Sequence, residues 1–194
     1  MRSWLVAEGA LDSSDFSVLE DQVLGRSFDI MDDGERAMQV RIACIDSGYR
    51  TDEGYDFCQV RVNTRPVKGA SRSAQRPYWS TMVDVHPVTG RRLRGGGVRL
   101  WMLDTDFFKD FIYRRMQLPP DSEFGWHIHQ DVTLDYAEQI TSEQKVTVRK
   151  GRKEREEWQP KRAGGKNHLW DAEVYAAAAA HIQGMQFWKK PLVR

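Results

Sequence analysis

An α/β fold with interleaved strands and helices is predicted for this chain, and three observations predict it. Short apolar runs of strand character alternate with segments of helical periodicity along all 194 residues. The run Val40 to Ile45 stops abruptly on Asp46-Ser47-Gly48, the pattern of a buried strand that ends in a turn. Far downstream, Asp171 opens an alanine-rich segment that reads as a terminal helix. Elements that interleave, rather than segregate into a β half and an α half, define the α/β class. In open α/β sheets the functional groups gather at the carboxyl ends of the strands. The carboxylate of Asp46 is therefore the first candidate site residue.

Taken in order, residues 4–7 read as the end of a strand. Asp12 or Ser13 caps a helix reaching about Leu24, with Phe16, Leu19 and Val23 on one face. Residues 29–36 are a polar loop, residues 38–45 the buried strand, and residues 47–50 a turn. Thr51 caps a helix carrying Tyr55, Cys58 and Val62. Residues 66–69 form a short strand that leads into a loop with Arg72 and Arg76. Two strands follow at 78–85 and 98–103, separated by Pro87, Gly90 and the run Gly95-Gly96-Gly97. Thr105 or Asp106 caps a helix through Met116, with Phe108, Phe111, Ile112 and Arg115 at helical spacing, and Pro119-Pro120 ends it. Residues 126–129 are a short strand and 134–140 a short helix. Residues 146–158 form a hairpin turning near Lys150-Gly151. The last helix spans about 167–183, with Trp170, Val174, Tyr175 and Ala178 inward.

Composition bounds the function classes. An apolar fraction of 40% and seven tryptophans describe a folded protein, and the length suits one domain with a real core. The net charge is only +1, but it is unevenly spread. From Arg61 to Arg99 nine basic residues accompany one acid, Asp84, and a second basic stretch surrounds Lys150 and Arg152. Such blocks serve either as a solvated surface or as a face for a polyanion. Cys44 and Cys58 lack metal-ligand spacing and read as free thiols of a reducing compartment. No run approaches the ~20 apolar residues of a membrane span, so a soluble, cytoplasmic protein without a membrane partner is expected.

Asp46 and Asp171 are each explained as turn and helix-start residues. Together they also fit the carboxylate pair of a magnesium or manganese site, which collects acids from separate elements. His168 precedes Asp171 by three residues and shares its helix face. Lys68, beside Gly69 at a strand end, is placed to reach a phosphate. His127 and His129 alternate onto one strand face, as packing groups or as metal ligands. The glycine run after Arg94 opens no helix and no Walker pattern occurs, which excludes a nucleotide-hydrolysis site of that type.

Five segments in fixed order resemble the carboxyl-terminal nuclease domain of the lambda-type (GpA) terminase large subunit. They are Ile42 to Gly48; Pro66-Val67-Lys68-Gly69-Ala70-Ser71; Leu100 to Arg115 with Asp104-Thr105-Asp106, Lys109 and Tyr113; Thr141-Ser142-Glu143; and Asn167-His168-Leu169-Trp170-Asp171 followed by Tyr175.

The resemblance implies a ribonuclease H-like fold that cuts double-stranded DNA with two divalent ions, Mg²⁺ or Mn²⁺. Asp46 would be the acid of the central strand and Asp171 that of the final helix. Lys68 would lie near the scissile phosphate and His168 beside the site, with Asp104 and Asp106 as secondary candidates. Arg72, Arg76, Lys150 and Arg152 would contact DNA.

In such a phage or prophage system the partners are the terminase small subunit, the portal and an ATPase motor. Against that pattern the chain is expected to lack the motor domain and the first two strands of the nuclease fold, the first of which bears an acid. A split gene, a misplaced start or a decayed prophage would each produce that outcome. A partner chain supplying the strand, or a role as a non-catalytic DNA-binding or assembly fragment, are the alternatives.

Overall fold

The computed structural model describes residues 2–11, 15–30, 36–48, 50–70, 76–151 and 153–188. They divide into two compact units, one of Met1–Ala10, Arg72–Pro77 and Asp104–Ala177, the other of Leu11–Ser71, Tyr78–Leu103 and Ala178–Arg194.

In chain order the elements are β1 (Ser3–Trp4), α1 (Ser17–Leu19, continuing as a π-helical turn Glu20–Leu24), β2 (Ser27–Asp29), β3 (Ala37–Gln39) and β4 (Ala43–Asp46). Then come α2 (Thr51–Gln59), β5 (Thr64–Gly69), β6 (Tyr78–Val83), β7 (Val98–Leu103), α3 (Thr105–Met116) and β8 (Trp126–His127). The last are α4 (Leu134–Ile140), β9 (Glu143–Lys150), β10 (Lys153–Pro160) and α5 (His168–Ile182). The mixed α/β character expected from the interleaved pattern is present.

The second unit is built on a four-stranded sheet in the order β4-β5-β7-β6. β4, β5 and β7 are parallel, and β6 closes the far edge antiparallel to β7. The β6–β7 connection has a tight point at Gly97, whose φ is +97° and whose Cβ, if it had one, would sit 2.6 Å from the Val83 carbonyl oxygen. Only glycine fits there. α2 brings Tyr55 against Leu93, Val98 and Leu100, and Phe57 and Cys58 against Leu24. Burial pushes the Cys58 thiol up to about 11 and that of Cys44 to about 12, so both are inert thiols at neutral pH.

Several expectations need correction. The apolar run 38–45 is not one buried strand: β3 pairs with β2 in an antiparallel hairpin, and β4 is a separate edge strand. Its apolar residues are divided, since Val40, Ala43 and Ile45 pack on the Leu24–Phe57–Cys58 cluster and β4 itself is only half-buried. Among the described residues, Asp46 therefore ends an edge strand and not a central one. Val62 lies beyond α2 and is 92% exposed, whereas Phe57 takes the inward position. Thr51 does not cap α2; its hydroxyl donates to the Ser47 carbonyl (2.9 Å), and Arg50 occupies the cap with φ +54°. The caps expected at Asp12 or Ser13 lie outside the described residues; Asp15 accepts from the Ser17 N–H at 2.8 Å.

The first unit collects α3, α4, the β9–β10 hairpin, the start of α5 and the short parallel pair β1–β8. Phe108, Ile112, Tyr136, Trp170 and Val174 are its buried apolar residues. Trp158 of β10 packs against Trp170 and Tyr113, and its indole N–H donates to Asp110 (2.9 Å). Lys145 ties the same carboxylate from β9 at 2.7 Å. Thr133 caps α4 through the Tyr136 N–H, as the sequence boundary at 134 requires.

Candidate functional site

Asp46 sits at the carboxyl end of β4, in register with Val67 of β5. Its Oδ1 accepts the Gly48 N–H at 2.8 Å, an Asx-type turn that turns the chain sharply away from the strand. A side chain at Gly48 would place its Cβ 3.2 Å from that same oxygen. Ser47 is buried and anchors the turn to β5, its N–H and hydroxyl both donating to the Val67 carbonyl at 2.9 and 2.8 Å. The local design holds an exposed carboxylate on a fixed backbone.

Lys68 follows Val67, so ammonium and carboxylate arise from the ends of adjacent parallel strands. Lys68 is exposed. The turn is braced further along α2. His86 Nδ1 accepts the N–H groups of Val88 and Thr89 at 3.3 and 3.0 Å, which leaves its ring proton on Nε2. That nitrogen lies 3.0 Å from Oδ1 of Asp52, in the first turn of α2.

The first unit holds the other candidates. Asp171 lies in the first turn of α5, half-buried, its N–H donating to the Asn167 carbonyl at 2.9 Å. His168 is the first residue of the helix and is exposed. Asp104 is buried and caps α3 by accepting the Phe107 N–H at 3.1 Å, which explains this acid structurally. Asp106, two residues on, has its carboxyl pushed above the usual range by burial and by the nearby carboxylates of Asp104, Asp110 and Glu157, against the pull of Lys109.

Two groups that sequence reasoning did not select as site residues dominate this unit. Lys109 and Glu143 form a buried pair at 2.6 Å, and Asn167 Nδ2 donates to the other Glu143 oxygen at 3.0 Å. Three of the ordered sequence segments, around Lys109, Glu143 and Asn167, thus meet in one polar network. The second is Glu173, which accepts from the Tyr136 hydroxyl (2.8 Å) and the Trp126 indole N–H (3.4 Å). Burial raises its pKa, and those two donors oppose the rise. No periodicity announces Glu173, because an acid between Asp171 and the alanine run of α5 reads as one more exposed helix-start carboxylate.

Asp46 and Lys68 belong to one unit; Asp104, Asp106, His168 and Asp171 belong to the other. Among the described residues no group of three or more His, Cys, Asp or Glu side chains is placed to hold a metal ion. His127, weighed as a ligand, instead stacks on Trp4 with ring centroids 4.3 Å apart. Of the expected DNA contacts, Arg72 and Arg152 lie outside the described residues. Arg76 is exposed just ahead of β6, and Lys150 ends β9 opposite Lys153. None of the helices described is long and apolar enough to cross a membrane.

A family model described as the endonuclease domain of the terminase large subunit gpA matches residues 1–191. No curated protein and no solved structure matches the chain.

Proposed function

Since the chain belongs to the endonuclease-domain family of terminase large subunits, we propose that it cuts double-stranded DNA for genome packaging with Mg²⁺ or Mn²⁺. The observation that carries this reading is Asp46, an exposed carboxylate fixed at the end of a parallel strand with Lys68 at the end of the next. Carboxylate oxygens are the right donors for these hard cations. Asp46 and Asp171 are the acids that the family reading assigns to the ions, each requiring further oxygen donors to complete a set. A bound ion supplies charge stabilisation and an activated water. Lys68 neutralises a non-bridging phosphate oxygen, and His168 positions the strand or the attacking water.

A ribonuclease H-like arrangement belongs to the same proposal, supported by a mixed sheet whose parallel strands present Asp46 at their carboxyl ends. So do two-ion cleavage, the terminase small subunit and portal as partners, and action in the cytoplasm of a bacterial host.

The test is cleavage of supercoiled plasmid with Mn²⁺ or Mg²⁺. Asp46→Asn and Asp171→Asn should each lower cutting by more than about 100-fold, the upper end of what loss of even an outer metal partner costs. Cutting that survives a chelator, or that both variants leave unchanged, overturns the assignment. Duplex binding without cutting would identify a non-cleaving DNA-binding piece.

A further inference from the structure

Away from Asp46, at the amino-terminal ends of β5 and β7, the second unit contains a cleft of about 660 Å³. Three arginines line it: Arg61 from the end of α2, Arg65 from β5 and Arg99 from β7. Arg61 and Arg99 lie 38 positions apart in the chain, so the sheet, not the local sequence, brings them together. No Asp or Glu lines the cleft among the described residues. Arg61 is neutralised from outside by Glu20 and lies over the Phe57 ring.

Arg65 is differently held. Its Nη1 donates to the carbonyls of Val62 and Thr64, both at 2.7 Å. Neutral acceptors orient a guanidinium without cancelling its charge. Arg99 is exposed and has no carboxylate partner among the described residues. Trp101 lines the same cleft, and its buried indole N–H has no acceptor among the described residues. A buried donor left unmatched is costly unless something accepts from it.

Two uncompensated guanidiniums, an unmatched indole donor and the open backbone of Gly95 describe one kind of ligand. It is anionic, rich in acceptor oxygens, and small or thin enough to enter a cleft. We propose that this cleft is a phosphate-binding site, separate from Asp46, with Arg65 and Arg99 as its charged contacts. The three residue steps from Thr64 to Val67 along β5 put it about 10 Å from the Asp46 end of the sheet. Its ligand is a phosphate of duplex DNA or of a free nucleotide. Only the DNA source rests on the nuclease reading; the phosphate chemistry stands without it.

The full chain, carrying Asp46→Asn to prevent cutting, is tested by anisotropy with a labelled 20-base-pair duplex and, separately, a fluorescent ATP analogue. If DNA is the source, Arg99→Glu weakens duplex binding about 10-fold and Arg99→Gln less, and the log–log salt slope falls by about 1. If a nucleotide is the source, the same variants weaken the analogue, inorganic pyrophosphate displaces it, and duplex affinity is unchanged. Phenylglyoxal labelling gives a readout free of folding effects, since the bound ligand should protect Arg99 and Arg65. The proposal is overturned if Arg99→Glu and Arg65→Gln, with wild-type thermal midpoints, alter neither affinity and neither ligand slows arginine modification. Loss of plasmid cutting in Asp46→Asn with duplex affinity intact separates this test from that of the nuclease site.

Discussion

Lys109 Nζ and Glu143 Oε2 are 2.6 Å apart in a setting where both residues are at least nine-tenths buried. The pair joins α3 to the first residue of β9, and Asn167, just ahead of α5, supplies the third member. Buried ions are expensive to leave alone, so the network responds asymmetrically to substitution. Lys109→Met strands a carboxylate and should cost about 3–5 kcal/mol in urea denaturation. Lys109→Met with Glu143→Gln should recover at least half of that loss. Equal stability of the single and double variants would show that the charge is not what matters.

Glu173 predicts a pH effect of definite sign. Its folded-state pKa is raised above the ordinary 4.5, first by burial. The folded chain therefore holds a proton that the unfolded chain releases, and stability from this group declines as pH rises above about 4.5. Denaturant midpoints between pH 4.5 and 7 should fall less steeply in Glu173→Gln than in the parent. A parallel pair of profiles would exclude Glu173 as the source.

At the Asp46 turn, Ser47→Ala removes a buried hydroxyl that donates to Val67. About 1 kcal/mol of stability should be lost, the usual worth of such a bond. Cutting should fall by more than that loss explains, because the turn aims Asp46. Unchanged cleavage by a folded Ser47→Ala protein would detach the turn from function.

His86 and Asp52 should not matter equally. His86→Ala leaves the Val88 and Thr89 N–H groups without their acceptor and should cost about 1–3 kcal/mol. Asp52 is half-exposed, so Asp52→Asn should cost under about 1 kcal/mol. Thermal midpoints of the two variants decide it, and a larger shift for Asp52→Asn would reverse the ranking.

Local signals carried much of this structure. α4 begins and ends where Thr133 and the 134–140 pattern place it, and β7 matches the run 98–103 residue for residue. Asp104 caps α3 one residue ahead of the expected Thr105, within the usual fraying of a boundary. What could not be read locally was partnership. The run 38–45 has a strand's composition, but whether it pairs with β2, β5 or neither depends on residues far away. The Lys109–Glu143–Asn167 network and the arginines of the β5–β7 cleft are likewise products of tertiary assembly, and each looks like ordinary surface polarity in the linear chain. The segments around Asp46 and Asp171 were legible because turn and helix-start chemistry is local.

The first unit is assembled from three stretches of chain, with residues 11–71 and 78–103 spent elsewhere. Its opening strand, Ser3–Trp4, pairs with Trp126–His127, its strand partner among the described residues. During synthesis Ser3–Trp4 therefore emerges more than a hundred residues before its hydrogen-bonding partner, and contacts of such separation close slowly. No single cut in the gene can deliver the two units as independent pieces. Mapping their separate contributions calls for circular permutation or co-expression of complementary segments, not simple truncation.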